Sequence, residues 1–393
     1  MKYQNVYVDG VPSDIVVNEG VIESISPAAP DMPRPTLMAL PALVNMHTHS
    51  AMTLLRSAGS GLPLHRWLTE AIFPREAQLS ADDIYRGASL ACKEMRASGT
   101  TAFNDMYFSI ESTIKAALEH HLCGNIALSV VDADFDNGNV KQFEADYQRI
   151  ADACGNGITI SIAPHAIYTV SGMHLRYLAE FAKEHGTLFH MHLSETQKER
   201  EDCLRQYGVP PVVYLEQLGV LDLVGSKYVG AHSLWLDDEE IAILGSHHAT
   251  VVHCPFSNLK LGSGFQFRYV ELRDAGVNVA LGTDGCASSD NLDLLEAAKL
   301  MSLLQKGTRH DPSVMPSWEA LQVASVNGRA ALGLPDNRLC AENVADFILI
   351  DINSMPFKEM SLTNSTPALI HNELLDRLLY AAHSELIKEV VTP

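Results

Sequence analysis

The feature that most constrains the fold of this chain is a regular alternation of short apolar runs with longer segments of helical periodicity. The runs are rich in Val, Ile, Leu and Ala and are continuous rather than alternating, which is typical of parallel strands buried on both faces. Between them lie segments such as 81–99 and 171–186, whose apolar residues recur at helical spacing. The eight predicted strands span residues 42–49, 100–108, 125–134, 158–166, 187–194, 227–233, 249–255 and 277–284.

Eight strand–helix repeats favour a closed (β/α)8 TIM barrel over an open doubly wound sheet. The open sheet should carry a Gly-rich phosphate loop after its first strand, and the segment "HTHSAMTLL" that follows the first run is not one. We therefore predict an α/β protein whose sheet is a TIM barrel.

The two ends of the chain differ from this pattern. Short strands separated by turn residues occur in "NVYVDG", "DIVVNEG" and "VIESIS", and further strand character appears in "ADFILIDI" and "LIKEVVTP". Because both ends share this character, we predict one small β-sandwich built from both termini. The predicted domains are 1–40 and 341–393 for the two parts of the sandwich and 41–340 for the barrel.

Composition excludes several classes of protein. The 28 basic residues against 48 acidic ones give a formal net charge of −20, which argues against a nucleic-acid partner. No apolar run approaches the roughly 20 residues that span a bilayer, so no membrane partner is expected, and the polar start of the chain does not resemble a signal peptide. The seven cysteines are scattered without a C-x-x-C pair, which predicts reduced thiols. We expect a cytoplasmic protein, and its assembly as a homo-oligomer is left open.

Polar residues follow several of the apolar runs, at the positions where barrel enzymes keep their chemistry. His47 and His49 are two residues apart, so their side chains point to one face of a strand and can converge on one ion. His192 and Asp284 end two further strands and complete a set of three imidazoles and one carboxylate with an open position. Zinc is the ion that such ligands favour, and iron and manganese remain alternatives.

Other polar residues near the same strand ends are candidates for proton transfer. Glu195 lies three residues after His192, where a turn can bring its carboxylate over the metal. His232 can hydrogen-bond the hydroxide or polarise the substrate, and Asp284 can serve as a base as well as a ligand. His165 ends the fourth strand and faces the same mouth.

The segments "LPALVNMHTHSAM", "APHAIYT", "FHMHLSET", "VVHCPFSNLKLGSG" and "ALGTDGCASSDNLDLLEAAKLMSLLQK" resemble the amidohydrolase superfamily. Within it they are most similar to the branch of S-adenosylhomocysteine and 5'-methylthioadenosine deaminases. The resemblance covers residues 40–350. It implies a (β/α)8 barrel with a small β-sandwich and one divalent metal ion per chain.

The resemblance also implies roles for individual residues. His47, His49, His192 and Asp284 match the family's metal ligands, and Glu195 and His232 match its catalytic acid/base residues. The implied reaction is attack of hydroxide on C6 of an adenine ring, which gives the inosine product and ammonia. Positions that match substrate contacts are Trp67 beside the purine, Glu76 at the ribose hydroxyls and His165 at the nucleoside. Ser288, in the loop after the last strand, is also predicted to contact the substrate, although this loop departs from the family pattern.

One departure from the family bears on the small-molecule nucleoside that the chain takes. Members that use S-adenosylhomocysteine carry arginines after the third strand, but here the loop offers Asp132, Asp134 and Asp136, with Lys141 as the nearest cation. Acidic side chains repel a carboxylate, so the loop favours methylthioadenosine, 5'-deoxyadenosine or adenosine. The alternatives are a guanine or other heterocycle deaminase, a triazine-type chlorohydrolase, and, from a different class, a non-catalytic barrel protein.

Overall fold

The computed structural model describes residues 1–135, 140–155, 157–358 and 365–393. Two compact units make up the chain, of which the first comprises Met1–Asn45, Glu94–Ala102 and Asp293–Pro393, and the second Met46–Lys93 and Phe103–Leu292. The strands are β1 (Lys2–Val8), β2 (Val11–Asn18), β3 (Val21–Pro27), β4 (Leu37–Pro41), β5 (Leu43–Thr48), β6 (Thr100–Tyr107), β7 (Cys123–Val130), β8 (Ile158–Pro164), β9 (Phe189–Leu193), β10 (Tyr228–His232), β11 (Thr250–His253), β12 (Asn278–Leu281), β13 (Phe347–Asp351) and β14 (Ile387–Val391).

Strands β5 to β12 form one eight-stranded sheet in which neighbours in the chain are neighbours in the sheet. The pairs from β7 to β12 run in parallel. The Asp284 N–H, just after β12, donates to the His47 carbonyl of β5 at 2.9 Å and so brings the last strand to the first. The predicted TIM barrel is confirmed, and all eight predicted strands are present.

Helices follow these strands, because consecutive parallel strands need a long crossover connection, which is usually a helix and is right-handed. The predicted helical segments 81–99 and 171–186 form α3 and α6. The helices are α1 (Leu64–Arg66), α2 (Phe73–Glu76), α3 (Ala81–Ala97), α4 (Ile110–Glu119), α5 (Val140–Ala153), α6 (Gly172–His185), α7 (Gln197–Tyr207), α8 (Pro211–Gln217), α9 (Val220–Val224), α10 (Asp238–Ser246), α11 (Pro255–Lys260), α12 (Tyr269–Asp274), α13 (Cys286–Ser289), α14 (Leu294–Arg309), α15 (Ser317–Val323), α16 (Val326–Ala331) and α17 (Pro367–Ala381). A π-helical turn, Trp67–Ile72, joins α1 to α2. In the described parts of the chain no helix has both the length and the apolar character to cross a bilayer.

The interior of the barrel contains a buried polar layer instead of branched apolar residues alone. Asn125 Nδ2 donates to Asn104 Oδ1 at 2.8 Å and to Ser161 Oγ at 2.5 Å, and Asn104 Nδ2 lies 3.1 Å from His190 Nδ1. All four side chains are buried. Such a layer is stable only because its donors and acceptors are paired with one another.

The first unit contains the second sheet, whose six strands come from both ends of the chain in the order β14-β13-β4-β1-β2-β3. β4 pairs antiparallel with β13, so that Leu349 faces Ala39 although the two residues are far apart in sequence. The five terminal strands expected from the sequence are present. β4 was not predicted, and the helix α17 occupies part of the C-terminal segment that we expected to be β-sandwich.

A buried ion pair also lies in this unit. Arg329 contacts Asp346 through its guanidinium, and the Thr101 hydroxyl donates to Asp346 Oδ2 at 3.0 Å. Both charged residues are at most 4% exposed. Because neither charge reaches water, each depends on the other for compensation.

Candidate active site

The predicted metal ligands lie together at the carboxyl ends of β5, β9 and β12. His49 Nε2 is 3.2 Å from Asp284 Oδ1 and 3.3 Å from His192 Nε2, and His47 Nε2 is 3.5 Å from Asp284 Oδ1. A tetrahedral ion with bonds of about 2.0–2.1 Å separates its ligands by about 3.3–3.4 Å. These three distances between donor atoms therefore match the spacing of neighbouring ligands around one tetrahedral ion.

Hydrogen bonds on the far side of the rings turn lone pairs towards this centre. His49 Nδ1 lies 2.5 Å from the Met106 carbonyl, and His192 Nδ1 lies 2.8 Å from the His165 carbonyl. A carbonyl only accepts, so each Nδ1 carries the proton and each Nε2 is left as a ligand atom. His47 Nε2 is buried without a hydrogen-bond partner. These residues fit a divalent cation.

His232, at the end of β10, has the opposite hydrogen-bonding arrangement. Asn258 Nδ2 donates to His232 Nδ1 at 2.9 Å, so the neutral ring carries its proton on Nε2. That N–H is directed towards Glu195, whose Oε2 lies 3.8 Å away. The Nε2–H of His232 is thus available as a hydrogen-bond donor within the cluster.

Asp284 is held by several hydrogen bonds to its carboxylate. Its Oδ2 accepts from Ser257 Oγ at 2.5 Å and from Ser288 Oγ at 2.8 Å, and its Oδ1 accepts from the Gly285 N–H at 2.8 Å. The backbone of Asp284 has φ of 65°, a strained conformation that the surrounding bonds maintain. Ser288 is buried, its hydroxyl donates to Asp284, and it is not among the described residues that line the cavity, so its contact with a substrate stays a prediction.

Glu195 lies just beyond β9, beside the ligands. It is 4% exposed, and Ser263 Oγ donates to its Oε1 at 3.1 Å. Burial, together with the nearby Asp284 carboxylate, raises the pKa of Glu195 to about 8. A carboxyl group with a proton affinity near neutral pH can both accept and release a proton during a reaction.

The imidazoles differ in their affinity for protons. Burial lowers the pKa of His47 to about 4 and holds the pKa of His192 well below its usual range. Burial opposes protonation of His49 too, but the Asp284 carboxylate raises its pKa to about 9. Burial would raise the pKa of Asp284, yet the adjacent imidazoles of His47 and His49 keep it well below the usual range. The cluster therefore favours a positive charge next to Asp284.

These groups open into a cavity of about 330 Å³, at the lower end of the size range of small-molecule sites. Trp67, Glu76 and His165 all line it, as do His49, His192 and Glu195. The Trp67 ring is buried, with its Nε1–H on the Ala58 carbonyl at 2.8 Å.

Two of the predicted substrate contacts are held in place by neighbours. Tyr107 donates its hydroxyl to Glu76 Oε1 at 2.6 Å, and Thr169 Oγ1 lies 3.0 Å from His165 Nδ1. Burial raises the pKa of Glu76.

The acidic loop after β7 contributes to the rim of the cavity. Asp134 lines it, with Oδ2 accepting the Val131 N–H at 2.8 Å, whereas Asp132 turns away to the Ser171 N–H and to His174. Lys141 is exposed and is not part of the lining, and Asp136 lies outside the described residues. Among the described residues the lining contains no Lys or Arg.

Four supporting residues were not singled out from the sequence: Tyr107, Ser257, Asn258 and Ser263. The last three belong to "VVHCPFSNLKLGSG", a segment that carried the family resemblance but to which we assigned no roles. The sequence signal that was available is a polar residue at or directly after the end of a predicted barrel strand. Tyr107 fits this signal because it is the last residue of β6.

The barrel and its candidate metal site are typical of a metal-dependent hydrolase, and comparisons with known proteins agree with that class. Residues 38–374 match the amidohydrolase family. A 5'-deoxyadenosine deaminase of Methanoregula boonei is 41% identical over 359 residues, 90% of this chain and 78% of that protein. A 5-methylthioadenosine/S-adenosylhomocysteine deaminase of Pyrococcus furiosus is 38% identical over 92% of this chain and 87% of its own length.

A solved structure is similar along almost the whole chain. The zinc-bound adenosine deaminase of Xanthomonas campestris has a TM-score of 0.86 and 30% identity, covering 97% of this chain and 87% of its own. The chain belongs to the amidohydrolase family.

Proposed function

We propose that this protein is a hydrolytic deaminase that converts an adenosine-type nucleoside and water to the inosine product and ammonia. The observation that carries the proposal is that Glu195 and Glu76 line one cavity together with the metal-ligand cluster. Glu195 is placed to move protons at a reacting ring, and Glu76 offers a carboxylate to a ribose. The deaminases similar to this chain support the same reaction class.

His47, His49, His192 and Asp284 would hold the ion, which we propose to be one zinc per chain. When bound, a divalent ion lowers the pKa of water from 15.7 to about 7 and so makes hydroxide available at neutral pH. The chemistry of the donor set, three imidazoles and one carboxylate, is what supports zinc.

The side chains of the chain carry the proton transfers. Glu195 accepts one proton from the attacking water and delivers it to N1 of the adenine ring while the oxygen adds to C6. His232 donates its Nε2–H to that oxygen as the ring carbon becomes tetrahedral. Asp284 accepts the second proton and passes it to the amino group, after which the C6–N bond breaks and ammonia leaves. Both protons of the water are thereby accounted for, one on N1 and one on ammonia.

The rim of the cavity supports a preference for a neutral 5'-substituent. Asp134 places an acid there, while Phe73 and Phe108 are partly exposed aromatic surfaces in the same lining. A terminal carboxylate would lie near Asp134 without a compensating Lys or Arg among the described residues, whereas a methylthio or methyl group would contact the aromatic rings. We therefore place methylthioadenosine, 5'-deoxyadenosine and adenosine ahead of S-adenosylhomocysteine.

Release of ammonia from the metal-loaded protein tests this proposal. The panel is adenosine, methylthioadenosine, 5'-deoxyadenosine, S-adenosylhomocysteine, guanine, cytosine and a chlorotriazine. We expect turnover of the neutral nucleosides, and D134N should improve the relative rate with S-adenosylhomocysteine, while the exposed D152N on α5 should not. Turnover of guanine or the triazine alone would support one of the alternative amidohydrolases. Good turnover of S-adenosylhomocysteine with methylthioadenosine inert would contradict our interpretation of Asp134.

We propose a cytoplasmic location as well. All seven cysteines are free thiols in the structure, which is what a reducing compartment favours.

A further inference from the structure

Glu199 lies close to the proposed proton-transfer site but does not line its cavity. It occupies the first turn of α7, is 6% exposed, and its N–H donates to the Thr196 side chain at 3.1 Å, which caps the helix. In an ordinary capping box the Glu at this position bonds back to the N–H of the capping residue. Here the carboxylate reaches further, because Oε2 accepts from the Glu195 N–H at 2.8 Å and Oε1 from the Ser194 N–H at 2.9 Å.

The backbone that Glu199 holds is strained and buried. Ser194 has φ of 46°, a left-handed conformation that costs free energy in a residue other than glycine. Ser194 and Glu195 are both at least nine-tenths buried, so their N–H groups have no access to water if the carboxylate is removed. This turn decides the direction in which the Glu195 side chain leaves the barrel strand.

The same turn is bonded to the loop that follows His232. The Ser194 carbonyl accepts from the Leu234 and Trp235 N–H groups at 3.1 and 3.0 Å, and the Ser233 N–H donates to the Leu193 carbonyl at 2.8 Å. The segments that carry Glu195 and His232 are thus joined in one hydrogen-bonded frame. Glu199 holds the part of it that carries Glu195.

We propose that Glu199 is a positioning residue for the reaction, which holds the backbone of Ser194 and Glu195 so that the Glu195 carboxyl faces the reacting ring. This rests on the role of Glu195 in the proposed function. Both oxygens of Glu199 act as acceptors, so Gln, which replaces one oxygen with an NH2 donor, cannot keep both bonds.

The test compares E199Q with E201Q, a matched change on the same helix. Glu201 is exposed and accepts only a side-chain bond from Gln197 among its described contacts. We expect E199Q to lower kcat by about tenfold to a hundredfold, in line with leaving a buried backbone N–H without an acceptor, with KM and metal content unchanged. Amide hydrogen exchange of residues 193–196 should become faster in E199Q and stay as in the wild type in E201Q. A purely structural role would lower the folded fraction and leave kcat per metal-loaded molecule unaltered.

The double variant E195Q/E199Q separates the two hypotheses. If Glu199 acts through Glu195, the double variant is no slower than E195Q alone, because coupled residues are not additive. Losses that multiply would overturn the positioning role. Wild-type turnover in E195Q would instead refute the proposed function. If E199Q does not fold, E199D, which is one methylene too short to reach both N–H groups, is tested in the same way.

Discussion

Replacement of Glu76 by Gln tests whether the cavity binds a ribose. A carboxylate has about four lone-pair positions, and Tyr107 uses one of those on Glu76 Oε1. The Gln side chain has a single oxygen, and the Tyr107 hydroxyl uses one of its lone pairs. In place of the second oxygen, Gln presents an NH2 group, which is a donor, to the substrate. At least one hydrogen bond from a ribose hydroxyl to a charged acceptor is lost, which costs about 1.5–3 kcal/mol, or roughly tenfold to a hundredfold in kcat/KM.

The assay measures kcat/KM by ammonia release for the best nucleoside of the panel and for its 2',3'-dideoxy analogue. The wild type should prefer the nucleoside with both hydroxyls, and E76Q should lose most of that preference while its rate with the analogue changes little. E70Q is a matched control, since Glu70 lies in the same helical stretch and is exposed beside Arg66. An equal loss with both nucleosides in E76Q would refute the ribose contact.

Three further changes test other parts of the structure. E195Q should lower kcat by about 10²–10⁴-fold because a general acid/base is lost. Elemental analysis should show the same metal content as in the wild type. A kcat within tenfold of the wild-type value would contradict the role of Glu195. S288A should weaken zinc binding by about 10–100-fold, because Asp284 loses an orienting hydrogen bond. The zinc affinity is measured by competition with a chromophoric chelator. An unchanged affinity would show that Ser288 does not help Asp284 to bind the metal. D346A should lower the free energy of unfolding in urea by about 3–5 kcal/mol because Arg329 is left buried without its partner carboxylate. D351A breaks a partly exposed pair with Lys388 and should cost about 1 kcal/mol or less. Similar costs for both variants would contradict the reasoning.

The barrel was predictable from the sequence because each of its strands is a separate apolar run, and segments with helical periodicity lie between the runs. The third strand shows where this reasoning stops. Its apolar character led us to extend it to residue 134, but β7 ends at Val130, and Asp134 bonds back to the Val131 N–H. Short acidic side chains compete with the sheet for backbone donors, and apolar periodicity does not report this competition. β4 was overlooked because only the single residue Ala42 separates it from β5.

The candidate site was predictable to the extent that its residues lie at strand ends, which places His47, His192 and Asp284 at one mouth. Ser263 could not be found in this way, because its contact with Glu195 joins residues 68 positions apart in the chain. The reach of Glu199 past its own helix cap was also hidden, since a capping sequence predicts a bond to the cap residue alone. The hydrogen bond from Ser288 to Asp284 was hidden as well, because position in a loop after a strand does not say which way a hydroxyl turns.

The pairing of β4 with β13 has a consequence for synthesis of the protein. β4 leaves the ribosome long before residues 347–351 exist, so its edge stays open while the intervening barrel is translated. An open strand edge is a template for association with other chains, and such distant pairing is slow to form. A nascent chain stalled before residue 347 should therefore bind chaperones or aggregate through β4, even when its barrel strands are complete.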